Sequence, residues 1–82
     1  MKRVKAEDIA LAKAVRRIRI ENGVSQIWIA KQLGVSSQQL HKYEDGVDRI
    51  PATYLKKISD VLKVDIYEFF YDDDNDKQRG DV

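Results

Sequence analysis

The sequence predicts an all-α domain, a compact bundle of five helices, and three observations support this fold class. Apolar residues recur at the three- and four-residue spacing of helices along almost all of the 82-residue chain. No stretch alternates between apolar and polar residues cleanly enough to indicate a strand. Residues that begin and end helices stand between the apolar stretches, which divides the chain into five segments.

The first two helices are separated by an Asn-Gly pair. Helix one ends at Asn22-Gly23, because a glycine takes the left-handed backbone conformation without strain. Ser25 is the predicted N-cap of helix two, since its hydroxyl can accept a hydrogen bond from a first-turn amide, and Gly34 ends that helix. The apolar stripes consist of Ile9, Leu11, Ala12, Val15 and Ile18 in helix one, and of Ile29, Ala30 and Leu33 in helix two.

Three shorter segments complete the bundle. Helix three begins with a capping box, Ser36-Ser37-Gln38-Gln39, and runs to about Glu44. Pro51 suits the first turn of helix four, where a missing amide hydrogen costs nothing, and a second capping-box pattern at 65–68 opens a short helix five. Their apolar residues are Leu40 and Tyr43 in helix three, a predicted buried stripe of Tyr54, Leu55, Ile58, Val61 and Leu62 in helix four, and Phe69, Phe70 and Tyr71 in helix five.

Charge is distributed unevenly along the chain. Residues 1–20 hold seven basic and two acidic side chains, whereas residues 72–82 hold two basic and five acidic ones. We therefore predict a domain over residues 1–71 and a disordered acidic tail over 72–82. The basic excess suits contact with a polyanion through one face, although an ordinary solvated helix surface explains it equally well.

Several classes of function are disfavoured by composition. The chain has no cysteine and one histidine, and it lacks a glycine-rich phosphate loop, so we expect no enzyme activity, no cofactor and no metal. The first eight residues contain no apolar stretch like that of a signal peptide, and no run approaches the ~20 apolar residues of a membrane span. A cytoplasmic protein without membrane contact is the prediction.

The segment from Gln26 to Asp45 places a short helix, a tight turn and a second short helix in succession. Ala30 is small where the two helices approach each other, and Gly34 can adopt the positive φ of the turn. Helices joined in this way cross at about 90–120°, so the second helix projects from the body of the domain. A projecting helix of this kind fits the major groove of DNA.

The run from Arg19 to Phe70, about two thirds of the chain, resembles the phage repressor/Cro-type helix-turn-helix family, also called the xenobiotic-response-element family. The matching residues are Arg19, Gly23-Val24-Ser25-Gln26, Ile29-Ala30, Leu33-Gly34-Val35-Ser36, Leu40, Tyr43-Glu44-Asp45-Gly46, Pro51, Leu55, Ile58, Leu62 and Val64. The resemblance implies a lambda-repressor-like DNA-binding fold in which Arg19 and Glu44 form a buried or half-buried ion pair.

The resemblance also implies which residues bind DNA. Gln26 matches a glutamine that binds phosphate and supports the recognition helix, and Ser36, Ser37, Gln38 and Lys42 match positions that face DNA. Independently, helical spacing puts Ser37, Gln38, His41 and Lys42 on one face, where glutamine suits adenine and lysine suits guanine. The alternative is an ordinary polar surface. His41, Arg49 and either Arg16 or Arg17 are candidates for phosphate contacts, and each is equally compatible with a solvated position.

The implied partner is double-stranded DNA, bound by a homodimer that represses transcription from a palindromic operator. Half-sites would then lie about one helical turn, near 34 Å, apart. The apolar C-terminal residues Val64, Ile66, Phe69 and Phe70 are the candidate dimer surface, although some of them must close the monomer core.

Ile27 and Trp28 depart from the family, whose members commonly have an exposed acidic residue at position 28. Trp28 has three open roles: a hydrogen bond to phosphate, packing against a partner, or packing against helix one. The Ile27-Trp28 pair supports an alternative function, an antitoxin or another protein-interaction module on the same fold. A controller protein of a restriction-modification operon is a further alternative.

Overall fold

The structure, a computed structural model, describes residues 6–70. Within that range it contains four α-helices and one short 3₁₀ helix, and no strand. The elements are α1 (Ala6–Glu21), α2 (Gln26–Leu33), α3 (Ser37–Glu44), α4 (Ala52–Leu62) and the 3₁₀ helix (Ile66–Phe70). The predicted all-α class is confirmed. The predicted acidic tail, residues 72–82, lies outside the described residues, as does Tyr71.

The fifth predicted helix is a single 3₁₀ turn, so the expected five-helix bundle consists of four α-helices and this turn. The Asp65 carbonyl accepts the Glu68 amide hydrogen at 2.9 Å, which is the i to i+3 pattern of a 3₁₀ helix. The Asp65 carboxylate accepts the Tyr67 amide hydrogen at 3.0 Å. With only five residues the element is too short to establish a run of α-helical hydrogen bonds.

The predicted starts of α2 and α3 are confirmed by side-chain capping. The Ser25 hydroxyl accepts the Trp28 amide hydrogen, and the Ser36 hydroxyl accepts that of Gln39, both at 3.0 Å. Pro51 is the N-cap of α4, one position before the helical turn in which it was expected. The helix ends at Lys63, whose φ of 58° is left-handed although it is not a glycine.

The core lies between α1, α2, α4 and the 3₁₀ helix, with α3 packed against α1 and α2. Ile9, the first residue of the predicted apolar stripe of helix one, is 41% exposed, at the α1 edge beside Gly46. The buried residues that form the main cluster are Val15, Ile18, Ile29, Ala30, Leu33, Leu40, Tyr43, Leu55, Ile58 and Phe69. Among residues 6–70, no helix is both long and apolar enough to cross a membrane.

Candidate nucleic-acid interface

A buried ion pair fixes the C-terminal end of α3 to α1. Arg19 donates from Nε to Glu44 Oε2 at 2.7 Å and from Nη2 to Glu44 Oε1 at 3.1 Å. Its remaining terminal nitrogen, Nη1, donates to the Val24 carbonyl at 2.8 Å. The Arg19 side chain is 10% exposed and that of Glu44 is fully buried. The predicted ion pair is confirmed, and its two parallel hydrogen bonds fix the angle at which α3 leaves the body.

Gln26 joins the same network from the start of α2. Its amide nitrogen donates to Glu44 Oε1 at 2.9 Å, so Glu44 accepts hydrogen bonds from two other helices. An amide nitrogen carries two hydrogens, and one remains to donate outward. Gln26 is therefore held at the junction of α2 and α3 with a donor left over, which suits the phosphate contact that the resemblance implies.

The turn between α2 and α3 has the geometry that its sequence predicts. Gly34 has φ 75° and ψ 29°, in the left-handed region, and its amide hydrogen is directed at the Ala30 and Lys31 carbonyls. The Val35 amide donates to the Ala30 carbonyl at 3.0 Å. These bonds satisfy the last carbonyls of α2 and allow α3 to begin after only three intervening residues.

Five of the predicted DNA-binding side chains line one concave surface, which we call the recognition surface. They are Gln26, Ser37, Gln38, His41 and Lys42. The opposite face of α3 is buried, with Leu40 fully enclosed and Tyr43 8% exposed. The helix thus presents hydrogen-bonding groups outward and apolar groups inward. The outer face combines donors and acceptors of the kind that pair with base edges in the major groove.

Two predicted site residues lie outside the recognition surface. The Ser36 hydroxyl oxygen accepts the Gln39 amide hydrogen, so its first role is to cap α3, and its own hydrogen remains available to donate. Arg49 pairs through Nε with Asp8 in the first turn of α1 at 3.2 Å, and its side chain is 54% exposed. The terminal nitrogens of this guanidinium carry further hydrogens that a phosphate could accept.

A second concave surface adjoins the first, and the sequence did not predict it as a unit. Arg16, Arg19, Ser25 and Ile27 line it together with Gln26 and His41, which belong to both surfaces. The sequence offered two signals: Arg16 or Arg17 was a candidate for a phosphate contact, and the three-residue spacing of Arg16 and Arg19 puts these two on one side of α1. Helix one therefore borders the region that is predicted to face DNA.

The loop after α3 is also tied to that helix. The Gln39 side chain donates to Asp48 at 3.0 Å instead of completing the predicted capping box with Ser36. The Val47 amide donates to the Lys42 carbonyl at 2.9 Å. These contacts hold the loop against the base of the recognition surface.

Burial, with smaller contributions from the nearby Tyr54 and Asp48, raises the pKa of Tyr43 above its ordinary value.

A helix-turn-helix family model matches residues 15–69, which include α2, the turn and α3. The match covers more than half of the chain, and the chain belongs to the helix-turn-helix family of the phage repressor/Cro type.

Relatives in sequence carry names of the same kind. An HTH-type transcriptional regulator of Sinorhizobium medicae is 38% identical over 65 residues, which are 79% of this chain and 47% of the relative. The regulator y4aM of Sinorhizobium fredii is 39% identical over 79 residues, 94% of this chain and 55% of the relative. The chain thus spans about half the length of these relatives.

Solved structures show the same fold at lower identity. The restriction-modification controller protein C.AhdI from Aeromonas hydrophila superposes with a TM-score of 0.73 at 21% identity, over 80% of this chain and all of that one. A hypothetical transcription factor from Neisseria gives a TM-score of 0.75 at 20% identity, over 95% of this chain and 90% of that one. At these identities the similarity shows a shared arrangement of helices.

Proposed function

We propose that the chain is a sequence-specific DNA-binding transcriptional regulator that represses from a palindromic operator as a homodimer. The observation that carries this proposal is the recognition surface, where five predicted DNA-binding side chains meet on the exposed side of α3 and the start of α2. Membership of the helix-turn-helix family supports it. In this function α3, residues 37–44, enters the major groove.

The side chains divide into two groups by chemistry. Ser37, Gln38 and Lys42 read base edges, since glutamine pairs with N6 and N7 of adenine and lysine with O6 and N7 of guanine. Gln26 and Ser36 contact phosphates through the hydrogens that their hydrogen bonds within the protein do not use. Arg49 contacts a phosphate through its terminal nitrogens, while its Nε pairs with Asp8. Phosphate contacts set the register in which the base contacts form.

A dimer doubles the few base contacts that one α3 provides. Of the predicted dimer surface, Phe69 is 2% exposed and belongs to the core, whereas Phe70 is 58% exposed. Tyr67, which is 69% exposed, lies on the same 3₁₀ helix. We therefore assign the dimer contact to Phe70 and its neighbours Tyr67, Val64 and Ile66.

Selection of bound duplexes from random DNA tests the function. The expected result is an enriched sequence with two inverted half-sites whose centres lie about 34 Å apart. Failure to enrich any sequence, with binding of all duplexes equal, would overturn sequence-specific recognition. An enriched single half-site together with a monomeric mass in the complex would overturn the dimer while leaving DNA binding intact.

The exposure of Ile27 and Trp28 favours a second candidate function, a protein-interaction module such as an antitoxin. Ile27 is 61% exposed and Trp28 39%, side by side on α2. Trp28 is the chain's one tryptophan, so its fluorescence reports on this site alone. A change in Trp28 emission on adding the selected duplex would mean that Trp28 lies beside DNA. Tight binding of the duplex without any change in emission would favour a protein partner as the ligand of the Ile27-Trp28 pair.

A further inference from the structure

A carboxylate at the end of α3 links a side chain of α1 to one of α3. Asp45 is the C-cap residue of α3, and its Oδ2 accepts a hydrogen bond from His41 Nε2 at 2.8 Å. Its other oxygen, Oδ1, lies 3.8 Å from Arg16 Nη1. Two basic side chains from different helices are thereby held around one acidic side chain.

Folding stability does not explain this cluster. The side chains of Arg16, His41 and Asp45 are 53%, 59% and 37% exposed. Ion pairs at such exposure contribute little to stability, because water and salt screen them. The Arg16 to Asp45 distance also exceeds a hydrogen bond, so the hydrogens of that guanidinium nitrogen are available to another acceptor.

The position of the cluster points to the ligand. Arg16 and His41 line the second concave surface, which shares His41 and Gln26 with the recognition surface. Three basic side chains, Arg16, Arg19 and His41, line it together with Ser25, Gln26 and Ile27, and the exposed Asp45 carboxylate contacts two of these basic side chains. An anion that approaches this surface meets the donors of Arg16 and His41 beside the carboxylate that holds them in place.

We propose that Arg16 and His41 jointly bind one phosphate of the DNA backbone and that Asp45 is the positioning residue for both. This inference rests on the proposed function. Arginine supplies a planar fork of donors that matches phosphate geometry, and His41 closes the site from α3. The contact would secure α1 to the backbone at the edge of the groove that α3 occupies.

The hydrogen bond to Asp45 also decides which nitrogen of His41 faces the phosphate. Since His41 Nε2 donates to Asp45, the nitrogen left for a phosphate is Nδ1, which donates only when it carries a hydrogen.

The test measures affinity for the selected duplex as a function of salt concentration. Arg16→Gln should lower the magnitude of the slope of log affinity against log salt by about 0.9, the value of one lost phosphate contact. Lys56→Gln is the matched control: it removes the same charge from α4, where Lys56 pairs with Asp60, and should leave the slope unchanged.

Asp45→Asn separates positioning by Asp45 from a general effect of charge. The substitution removes a negative charge, which by Coulomb attraction alone should strengthen binding to DNA, whereas loss of positioning of Arg16 should weaken binding and lower the salt slope as Arg16→Gln does. An unchanged salt slope in Arg16→Gln, or tighter binding by Asp45→Asn with an unchanged slope, overturns the inference while the proposed function stands. Absence of specific binding by the wild type overturns the proposed function itself.

Discussion

Replacing Glu44 with alanine should destabilise the fold more than any surface substitution. Glu44 accepts three hydrogen bonds, two from Arg19 and one from Gln26, and its side chain is fully buried. Without it the Arg19 guanidinium remains 10% exposed with the Val24 carbonyl as its partner. Breaking a buried pair by removing one member costs about 3–5 kcal/mol, because the other charge is left buried without compensation.

This loss is large for so small a domain, whose total stability is on the order of 4–12 kcal/mol. With a urea m-value of about 1.5 kcal/mol/M, the unfolding midpoint of Glu44→Ala should fall by about 2–3 M. The double variant Arg19→Met with Glu44→Leu is the control. It replaces both charges with apolar groups and should lie within about 1–2 kcal/mol of wild type. The loss is measured by urea unfolding followed by circular dichroism. A loss below about 1 kcal/mol in Glu44→Ala would contradict a buried, uncompensated charge and would mean that solvent screens the pair.

Three further predictions concern the helix ends and the core. Ser36→Ala removes the cap on the Gln39 amide and should lower the unfolding free energy by about 1 kcal/mol. The adjacent Ser37→Ala is the control and should lower it by less than about 0.5 kcal/mol. Equal losses would contradict the capping role. At Gly34 there is open space for a methyl group, but φ is left-handed at 75°, so Gly34→Ala should lower the unfolding free energy by about 1–2 kcal/mol in the urea assay. Gly34→Asn should cost less, because asparagine adopts this conformation more readily. No difference between the two would contradict backbone strain as the cause. Burial raises the pKa of Tyr43, so the folded state favours the neutral phenol, and stability that is complete below the ordinary pKa is lost as pH rises through the raised one. The unfolding free energy should therefore decline more steeply above about pH 10 for wild type than for Tyr43→Phe, and parallel curves would contradict this.

The parts of the fold that local chemistry decides could be predicted from the sequence. Ser25, Gly34 and Ser36 mark the ends of α2 and α3 because capping and left-handed turns depend on neighbouring residues. The end of α4 has no such mark. Lys63 takes the left-handed conformation that glycine usually takes, and the Val64 amide then donates to the Ser59 carbonyl at 3.0 Å. We find no local reason for a lysine at that position.

The same division holds for the candidate site. The outward face of α3 follows from helical spacing and the family resemblance, so its residues could be named in advance. The link from Arg16 through Asp45 to His41 depends on how α1 packs against α3, which residue spacing does not specify. The Gln39 side chain has a local and a distant partner to choose from. The capping box predicts a hydrogen bond back to Ser36, but in the folded protein Gln39 donates to Asp48, nine residues away.

The claim that α3 reads DNA sequence is tested most directly by repeating the selection from random DNA with Gln38→Ala. Gln38 is exposed on the recognition surface, so the substitution should leave the fold intact. The prediction is that base preference disappears at one position in each half-site while the remaining positions and the half-site spacing are kept. Recovery of the wild-type consensus at every position, with affinity reduced equally for selected and random duplexes, would contradict it.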